Sequence, residues 1–351
     1  MTYIAKPKII HGGLTRNALG FTIRDYEGGM STLCAGCGHD SVTAAIVQAF
    51  FELDIPPHSV AKMSGIGCSS KTPAYFLSAS HGFNSVHGRM PSIATGASAA
   101  NRGIYLLGVS GDGDSLSIGL GQFAHALRRN LNMTYIIENN GVYGLTKGQF
   151  SASADVGTKA KKGEVNEQQP IDPVQMALAQ GGTFIARSFS GDKDQLVPLL
   201  KAAIKHDGFS LIDVLSPCVT FNDHEDSTKS YSHTRQFFHR AVHVDYVPPA
   251  EEIKAAYDEG EVMSVEMHDG SRILLRKISN DYSVNNRGAA LDYIRSHHRK
   301  GEIVTGLLYI DKSEPDMHGL NKTTPVPLSN LEFGDLCPGA AVLDALQGRF
   351  R

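Results

Sequence analysis

Apolar positions along this chain change period several times, and each change predicts an element. Val42, Ile46, Val47, Ala49 and Phe50 recur at helical spacing and predict a helix from about Asp40 to Glu52. Ile104 to Val109 is instead a continuous apolar run bounded by glycines, the pattern of a strand buried on both faces of a parallel sheet. Leu116 to Arg129 returns to helical spacing, with Arg128 and Arg129 in the last turn, where cations suit the helix dipole. Met133 to Ile137 is a second buried strand. Strand, turn, helix and strand in succession form a βαβ crossover, which implies a parallel sheet with helices on its faces. The Ala-, Gly- and Ser-rich stretch Arg89 to Arg102 predicts a closely packed helix. Farther on, helices are expected near Pro173 to Ala179 and Lys193 to Lys205, and strands near Thr183 to Ala186 and Ser210 to Leu215.

Past residue 250 the pattern shifts. Glu251 to Tyr257 predicts a helix, and Val262 to Ile278 two strands around the turn His268-Asp269-Gly270. Ile303 to Ile310 predicts another strand, and the Pro-, Asn-, Asp- and Ser-rich stretch Asp311 to Pro338 an arm. The expected organisation is an N-terminal extension over 1–29, an α/β domain over 30–250 and a C-terminal extension of short helices and strands over 251–351. No repeat or low-complexity stretch interrupts it.

Composition narrows the function classes. The 351 residues are 41% hydrophobic and 20% charged, with a formal net charge of −3, which argues against a general nucleic-acid binder. No run approaches the roughly 18 apolar residues of a membrane helix. Met1 to Asn17 lacks the apolar block of a signal peptide, so a cytoplasmic enzyme subunit is expected. Five cysteines are too few for a disulfide scaffold at this length. Their placement, Cys34-x-x-Cys37 followed by Cys68, Cys218 and Cys337, points to metal or redox work.

Two clusters carry candidate chemistry. Ser110-Gly111-Asp112-Gly113-Asp114 sits where the first buried strand hands over to a helix. Glycines flanking Asp112 allow a close backbone approach, and a helix N-terminus favours anions. Asp112 is a hard oxygen ligand of the kind that holds Mg²⁺ between phosphates. Asn139 and Asn140 end the next strand, with 25 residues between Gly113 and Asn139. Each motif alone is also an ordinary turn. In the second cluster, thiols from distant loops suit a [4Fe–4S] cluster, a tetrahedral zinc or free cysteines about equally by chemistry alone.

Together the Gly-Asp-Gly and Asn-Asn pair resembles the thiamin-diphosphate-binding motif. The resemblance widens through His87-Gly88-Arg89, Ala94-Thr95-Gly96, Arg128-Arg129-Asn130 and Tyr143 to Gln149. Over roughly residues 30 to 220 the chain is similar to the β subunits of 2-oxoacid:ferredoxin oxidoreductases, most like the 2-oxoglutarate type. This resemblance implies a thiamin-diphosphate-binding fold, with Asp112, Asn140 and the Val142 carbonyl as Mg²⁺ ligands. It also implies that Ile66, Gly67, Cys68, Ser69, Gly113, Asp114, Gly144 and Leu145 line the cofactor, and that Cys34, Cys37, Cys68 and Cys218 hold a [4Fe–4S] cluster. Ser151-Ala152-Ser153 departs from the Ser-Pro-Thr of many relatives, which bears on that loop's geometry.

His39, beside the Cys-x-x-Cys, is a candidate for a phosphate contact or proton shuttle, or a hydrogen-bonded structural histidine. Lys71 is a candidate partner for a substrate carboxylate, or a solvated surface lysine. His224, His233, His239 and His243 lack the regular spacing of a metal site. Cys337 falls outside the resembling region and reads as an ordinary thiol. No second domain is evident to carry the carboxylate that activates the cofactor's aminopyrimidine, so the resemblance implies an α subunit that also binds coenzyme A. The expected reaction is CoA-dependent oxidative decarboxylation of 2-oxoglutarate to succinyl-CoA and CO₂, reversible, with electrons leaving to ferredoxin. Pyruvate or a broad 2-oxoacid range, a non-oxidative thiamin decarboxylase and a structural zinc module are the alternatives.

Overall fold

The structure, a computed structural model, describes residues 11–160, 163–222, 252–267, 271–337 and 339–350. The irregular histidines from 224 to 243 and the turn at 268–270 lie outside the described residues.

Five parallel neighbours make the centre of a nine-stranded sheet. They are β1 (Val60–Ser64), β3 (Tyr105–Gly111), β4 (Met133–Asn139), β8 (Phe209–Leu215) and β7 (Phe184–Phe189). The short β2 (His81–Asn84) adds in parallel at the β1 edge. The central strands are buried along almost their whole length, as their unbroken apolar runs predict. Two further strands, β5 (Val142–Tyr143) and β6 (Gln149–Phe150), form a separate small hairpin.

Helices cover both faces, which fits the expected α/β class. On one face α1 (Gly38–Glu52) buries Val42, Ile46 and Phe50 beside α5 (Lys193–Ile204), which buries Leu196, Leu200 and Ala203. On the other lie α2 (Met90–Ala100), α3 (Leu120–Arg128) and α4 (Pro173–Ala179), contributing Met90, Phe123 and Val174 to a second core. The single helix expected over Leu116 to Arg129 is divided: a wide π-type turn spans Asp114–Ile118 before α3 begins. The reason is local. Gly119 packs on Gly88, so closely that a Cβ there would meet the Asp114 carbonyl at 2.4 Å.

Beyond residue 251 the chain continues the same sheet. The strand β11 (Glu302–Ile310) lies antiparallel to β7, and β10 (Arg272–Lys277) and β9 (Val262–Glu266) follow outward. A helix missed from sequence, α6 (Arg287–His298), packs Ala290 and Ile294 onto the second core, and the Asn286 side chain caps it by accepting the Ala289 N–H at 3.0 Å. The helix expected at Glu251 to Tyr257 does not form; residues 252–257 run as irregular chain. Tertiary contacts override the helical pattern: Ala255 is buried against Phe189, and the Tyr257 hydroxyl bonds Thr305 Oγ1 at 3.0 Å. Short helices at Met317–Asn321 and Phe333–Leu336 fall within the expected arm, and a further one at Ala340–Gly348 follows it.

Candidate active site

The carboxyl ends of β1, β3, β4 and β8 and the start of α1 carry every candidate ligand, the edge where open parallel sheets bind their ligands. Asp112, directly after β3, is 1% exposed. Its Oδ2 accepts the Gly141 N–H at 3.0 Å and hydrogen bonds from Ser153 Oγ at 2.5 Å and from Ser151 Oγ. Burial nevertheless pushes its carboxyl above the usual range, the three donors opposing that shift only in part. A buried carboxylate of this kind is one that a divalent cation satisfies. Asn140 stands at the end of the neighbouring strand, its Oδ1 accepting the Val142 N–H at 3.0 Å and curling the loop so that Val142 is held beside it. One carboxylate with amide and carbonyl oxygens is the donor chemistry of Mg²⁺.

Gly113 leaves the room this corner needs. A Cβ there would sit 2.4 Å from the Tyr143 ring, whose hydroxyl donates to the Gly113 carbonyl at 3.0 Å. Asp114 is buried, and its carboxylate faces the protein. It accepts the Gly88 N–H and the Ser110 hydroxyl, each at 2.8 Å, and occupies the space a Gly65 side chain would need. Asp114 therefore ties the Gly88 loop to the end of β3 and packs against the loop at Gly65. Gly144 is half-buried and Leu145 exposed on the loop between β5 and β6, open toward solvent.

The cysteines approach from three loops. Cys37 caps the start of α1, Cys68 precedes the turn Ser69–Ala74, and Cys218 follows β8. Cys34 Sγ lies 2.7 Å from Thr220 Oγ1, which joins the first loop to the third. Burial, with Cys218 and Cys34 close by, pushes the Cys68 thiol up to about 11. Burial also pushes up Cys37, with Glu138 and Cys218 adding to it. The four sulfurs thus share one electrostatic neighbourhood, and Cys337 stands apart and exposed on the arm. Four soft donors from three loops are the donor chemistry of an iron–sulfur cluster or of a tetrahedral zinc. Among the described residues, no group of three or more His, Cys, Asp or Glu side chains stands in an arrangement that holds a metal ion.

His39 links these loops. It is 1% exposed, with Nδ1 2.6 Å from Ser216 Oγ and Nε2 3.2 Å from Ser69 Oγ. Ser69 adjoins Cys68, Ser216 lies two residues before Cys218, and His39 lies two after Cys37. Burial lowers its pKa to about 4, so it is neutral near pH 7. The fully buried Glu138 lies 3.6 Å away, its carboxyl held well above the usual range by burial. Both imidazole nitrogens are thereby taken, which favours the structural reading of His39 over a phosphate contact. Ile66 and Gly67 lie in the loop after β1, where Gly67 adopts a φ of +136° that a side chain disfavours. Lys71 Nζ donates to the Thr32 carbonyl at 3.1 Å, on the rim of the same corner.

A cleft of about 300 Å³ opens beside Asn140, Val142 and Cys218 and reaches Ile273 of β10 and the start of β11 at Glu302. Its walls include Ser153, and also Asp213 and Arg187, the last two of which were not singled out from sequence. Ser151 and Ser153 were legible only as a departure from a family pattern, although both hydroxyls reach Asp112. No local signal marks Arg187 and Asp213, which face each other only because β7 and β8 pair in register.

This arrangement defines a class. Residues 65–214 match the thiamine pyrophosphate enzyme family, C-terminal TPP binding domain, so thiamin diphosphate is the cofactor of the fold. Relatives are more particular. The chain is 41% identical over 211 residues to the 2-oxoacid:ferredoxin oxidoreductase subunit beta of Saccharolobus solfataricus, covering 60% of this chain and 67% of that protein. It is 47% identical over 194 residues to subunit beta of 2-oxoacid:ferredoxin oxidoreductase 1 of Aeropyrum pernix, covering 55% and 60% of the two chains. With the Methanocaldococcus jannaschii 2-oxoglutarate synthase subunit KorB it shares 38% over 189 residues, 54% of this chain and 69% of that one. Among solved structures, 2-oxoglutarate:ferredoxin oxidoreductase from Magnetococcus marinus, with 2-oxoglutarate, coenzyme A and succinyl-CoA bound, superposes with a TM-score of 0.68. That match has 28% identity and covers 88% of this chain and 92% of the other. The chain belongs to the family of 2-oxoacid:ferredoxin oxidoreductase β subunits. Among the described residues no helix is long and apolar enough to cross a membrane.

Proposed function

We propose that this chain, with an α subunit, catalyses CoA-dependent oxidative decarboxylation of 2-oxoglutarate to succinyl-CoA and CO₂ and passes the electrons to ferredoxin. The observation that carries the reading is the meeting of two donor sets at one sheet edge: the oxygen corner at Asp112 and Asn140, and the sulfur corner tied together by His39. Thiamin diphosphate supplies a thiazolium electron sink for decarboxylation, and a [4Fe–4S] cluster accepts electrons singly. Asp112, Asn140 and the Val142 carbonyl would hold Mg²⁺ against the diphosphate, and Cys34, Cys37, Cys68 and Cys218 would hold the cluster. Gly113 admits the cofactor's close approach, while Tyr143 walls that approach on one side. Neutral His39 fixes the cysteine loops, and Lys71 at the rim presents a cation to a substrate carboxylate. Residues 30–250 form the cofactor domain, with 251–351 as an extension that widens its sheet. The M. marinus enzyme's ligands and the KorB relatives support 2-oxoglutarate as the substrate. The site as described suits a cytoplasmic enzyme, with the aminopyrimidine-activating carboxylate and the coenzyme A site on the α subunit.

The test is anaerobic co-purification with the α subunit, followed by iron, sulfide and thiamin analysis and by assays over several 2-oxoacids with a ferredoxin or viologen acceptor. Succinyl-CoA formation by the complex, with four irons per chain on the chemistry of the four-thiolate site, is expected. Absence of iron, or full turnover by this chain alone, would overturn the reading. Equal turnover of pyruvate would broaden the substrate class.

A further inference from the structure

We infer that a chain of polar side chains, Asp112–Ser153–Asn139–Asp213–Arg187, buried at both ends and half-buried at Ser153 and Asn139, positions the magnesium clamp, which makes Asp213 and Arg187 positioning residues for the cofactor. The inference rests on the reading that Asp112 holds the cation, and goes beyond it to residues far from the motif.

The chain is continuous. Arg187, 7% exposed, sits within β7 and donates from Nε to Asp213 Oδ2 at 2.8 Å and from Nη2 to Asp172 Oδ1 at 2.6 Å. Asp172 is already engaged as the cap of α4, accepting the Val174 N–H at 2.9 Å and the Gln175 N–H at 3.2 Å. That engagement holds the guanidinium from one side while Asp213, fully buried on β8, holds it from the other. The second Asp213 oxygen, Oδ1, accepts the Asn139 amide at 3.1 Å. This bond decides which way the Asn139 amide faces. With its nitrogen on Asp213, its oxygen is presented to Ser153 Oγ at 2.9 Å.

Ser153 is the junction. Its hydroxyl lies 2.9 Å from Asn139 Oδ1, 2.5 Å from Asp112 Oδ2 and 3.1 Å from Ser151 Oγ. A serine hydroxyl has one proton and bonds one of the two acceptors at a time. The orientation of Asn139 therefore sets how far Ser153 serves Asp112, and the Arg187–Asp213 pair sets Asn139. Outer partners of metal ligands commonly fix ligand orientation in this way. The charges agree with a cation at the far end: Asp172 and Asp213 share the one guanidinium of Arg187, and Asp112, the third carboxyl of the chain, has no ion-pair partner there for a divalent ion to compete with.

Electrostatics alone and positioning make opposite predictions for Arg187. Removing a positive charge near the site would by itself tighten Mg²⁺ binding, whereas loosening the chain weakens it. The experiment is a calorimetric titration of the cofactor-stripped αβ complex with MgCl₂ at saturating thiamin diphosphate, comparing Arg187→Met, Ser153→Ala, Asp213→Asn and Asp112→Asn. Each outer variant is expected to weaken Mg²⁺ binding by about 10- to 100-fold, the range for lost outer partners. Asp112→Asn is expected to weaken it further. Unchanged or tighter binding in Arg187→Met together with unchanged binding in Ser153→Ala would overturn the inference and leave the ion pairs purely structural. If Asp112→Asn itself left Mg²⁺ affinity unchanged, the clamp reading would fall and this inference with it. Should Arg187→Met not fold, Ser153→Ala decides, because Ser153 is only half-buried and its loss leaves both ion pairs intact.

Discussion

Two corners of one sheet edge are built by opposite means. At the oxygen corner, Asp112 receives a backbone amide and two serine hydroxyls, so its geometry is set before any ion arrives. At the sulfur corner the loops are fixed through His39, while burial raises the Cys37 and Cys68 thiols and keeps them protonated. A thiol in that state must lose its proton to ligate, so metal loading and deprotonation are one event there. Preorganisation lies in the side chains at the first corner and in the loops at the second.

The largest test of that contrast is Cys37→Ser. Acceptor reduction by the complex should fall at least about 100-fold, beyond the range for losing an outer partner, with iron content falling alongside it. Magnesium-dependent thiamin diphosphate binding should stay within about twofold, as for weakly coupled sites. Joint loss of iron and thiamin, measured by elemental and cofactor analysis, would show that the corners are a single unit.

His39→Ala comes next. It removes the partner of the buried Ser216 hydroxyl, a loss that costs about 1–3 kcal/mol, while Ser69 keeps its bond to Glu138. Thermal denaturation of the complex should show a stability loss of that order together with reduced iron retention. A variant that keeps full iron while unfolding earlier would detach His39 from the cysteine loops. At the other corner, Gly113→Ala drives a methyl group into the Tyr143 ring. Overpacking of this kind costs about 1–3 kcal/mol. It should weaken thiamin diphosphate binding in a calorimetric titration and leave iron untouched; unchanged cofactor affinity would mean that the ring yields freely.

How much of this was legible depended on how local each signal was. The run Ile104 to Val109 announced a central strand because both of its faces are covered, and the Gly-Asp-Gly turn followed directly from it. The strand β1 escaped notice because Lys62 interrupts it; inside the fold Nζ donates to the Phe76 and Leu77 carbonyls at 2.6 and 3.0 Å. The four-cysteine set came from family resemblance, since chemistry and spacing alone left zinc, cluster and free thiols level. His39 was read as a phosphate contact, a proton shuttle or a hydrogen-bonded structural histidine, and its serine partners are ones that only tertiary structure brings near. Arg187 and Asp213 become neighbours through strand register, which no window along the chain contains. Past residue 251, the placement of β11 against β7 is likewise a long-range pairing, and the helical pattern at 252–257 lost to packing on Phe189.

A carboxylate at the start of β11 offers the smallest effect and the clearest contrast with Asp112. Burial drives Asp112 upward, whereas hydrogen bonds from Arg276 hold Glu302 down to about 2, with His297 Nδ1 at 2.6 Å adding to the effect. A carboxyl whose folded pKa lies below its unfolded value near 4.3 contributes stability above that value. The contribution is lost as pH falls from there toward about 2, because the unfolded chain takes up the proton first. For a pair this near the surface the contribution is about 1 kcal/mol or less. Denaturant unfolding of the chain at pH 6 and at pH 3, roughly bracketing the unfolded carboxyl, should show Glu302→Gln less stable than wild type at the higher pH, with the gap roughly halved at the lower, which still lies above the folded value. A gap between the two proteins that stays constant with pH would remove Glu302 from the acid dependence and leave Arg276 as a packing residue.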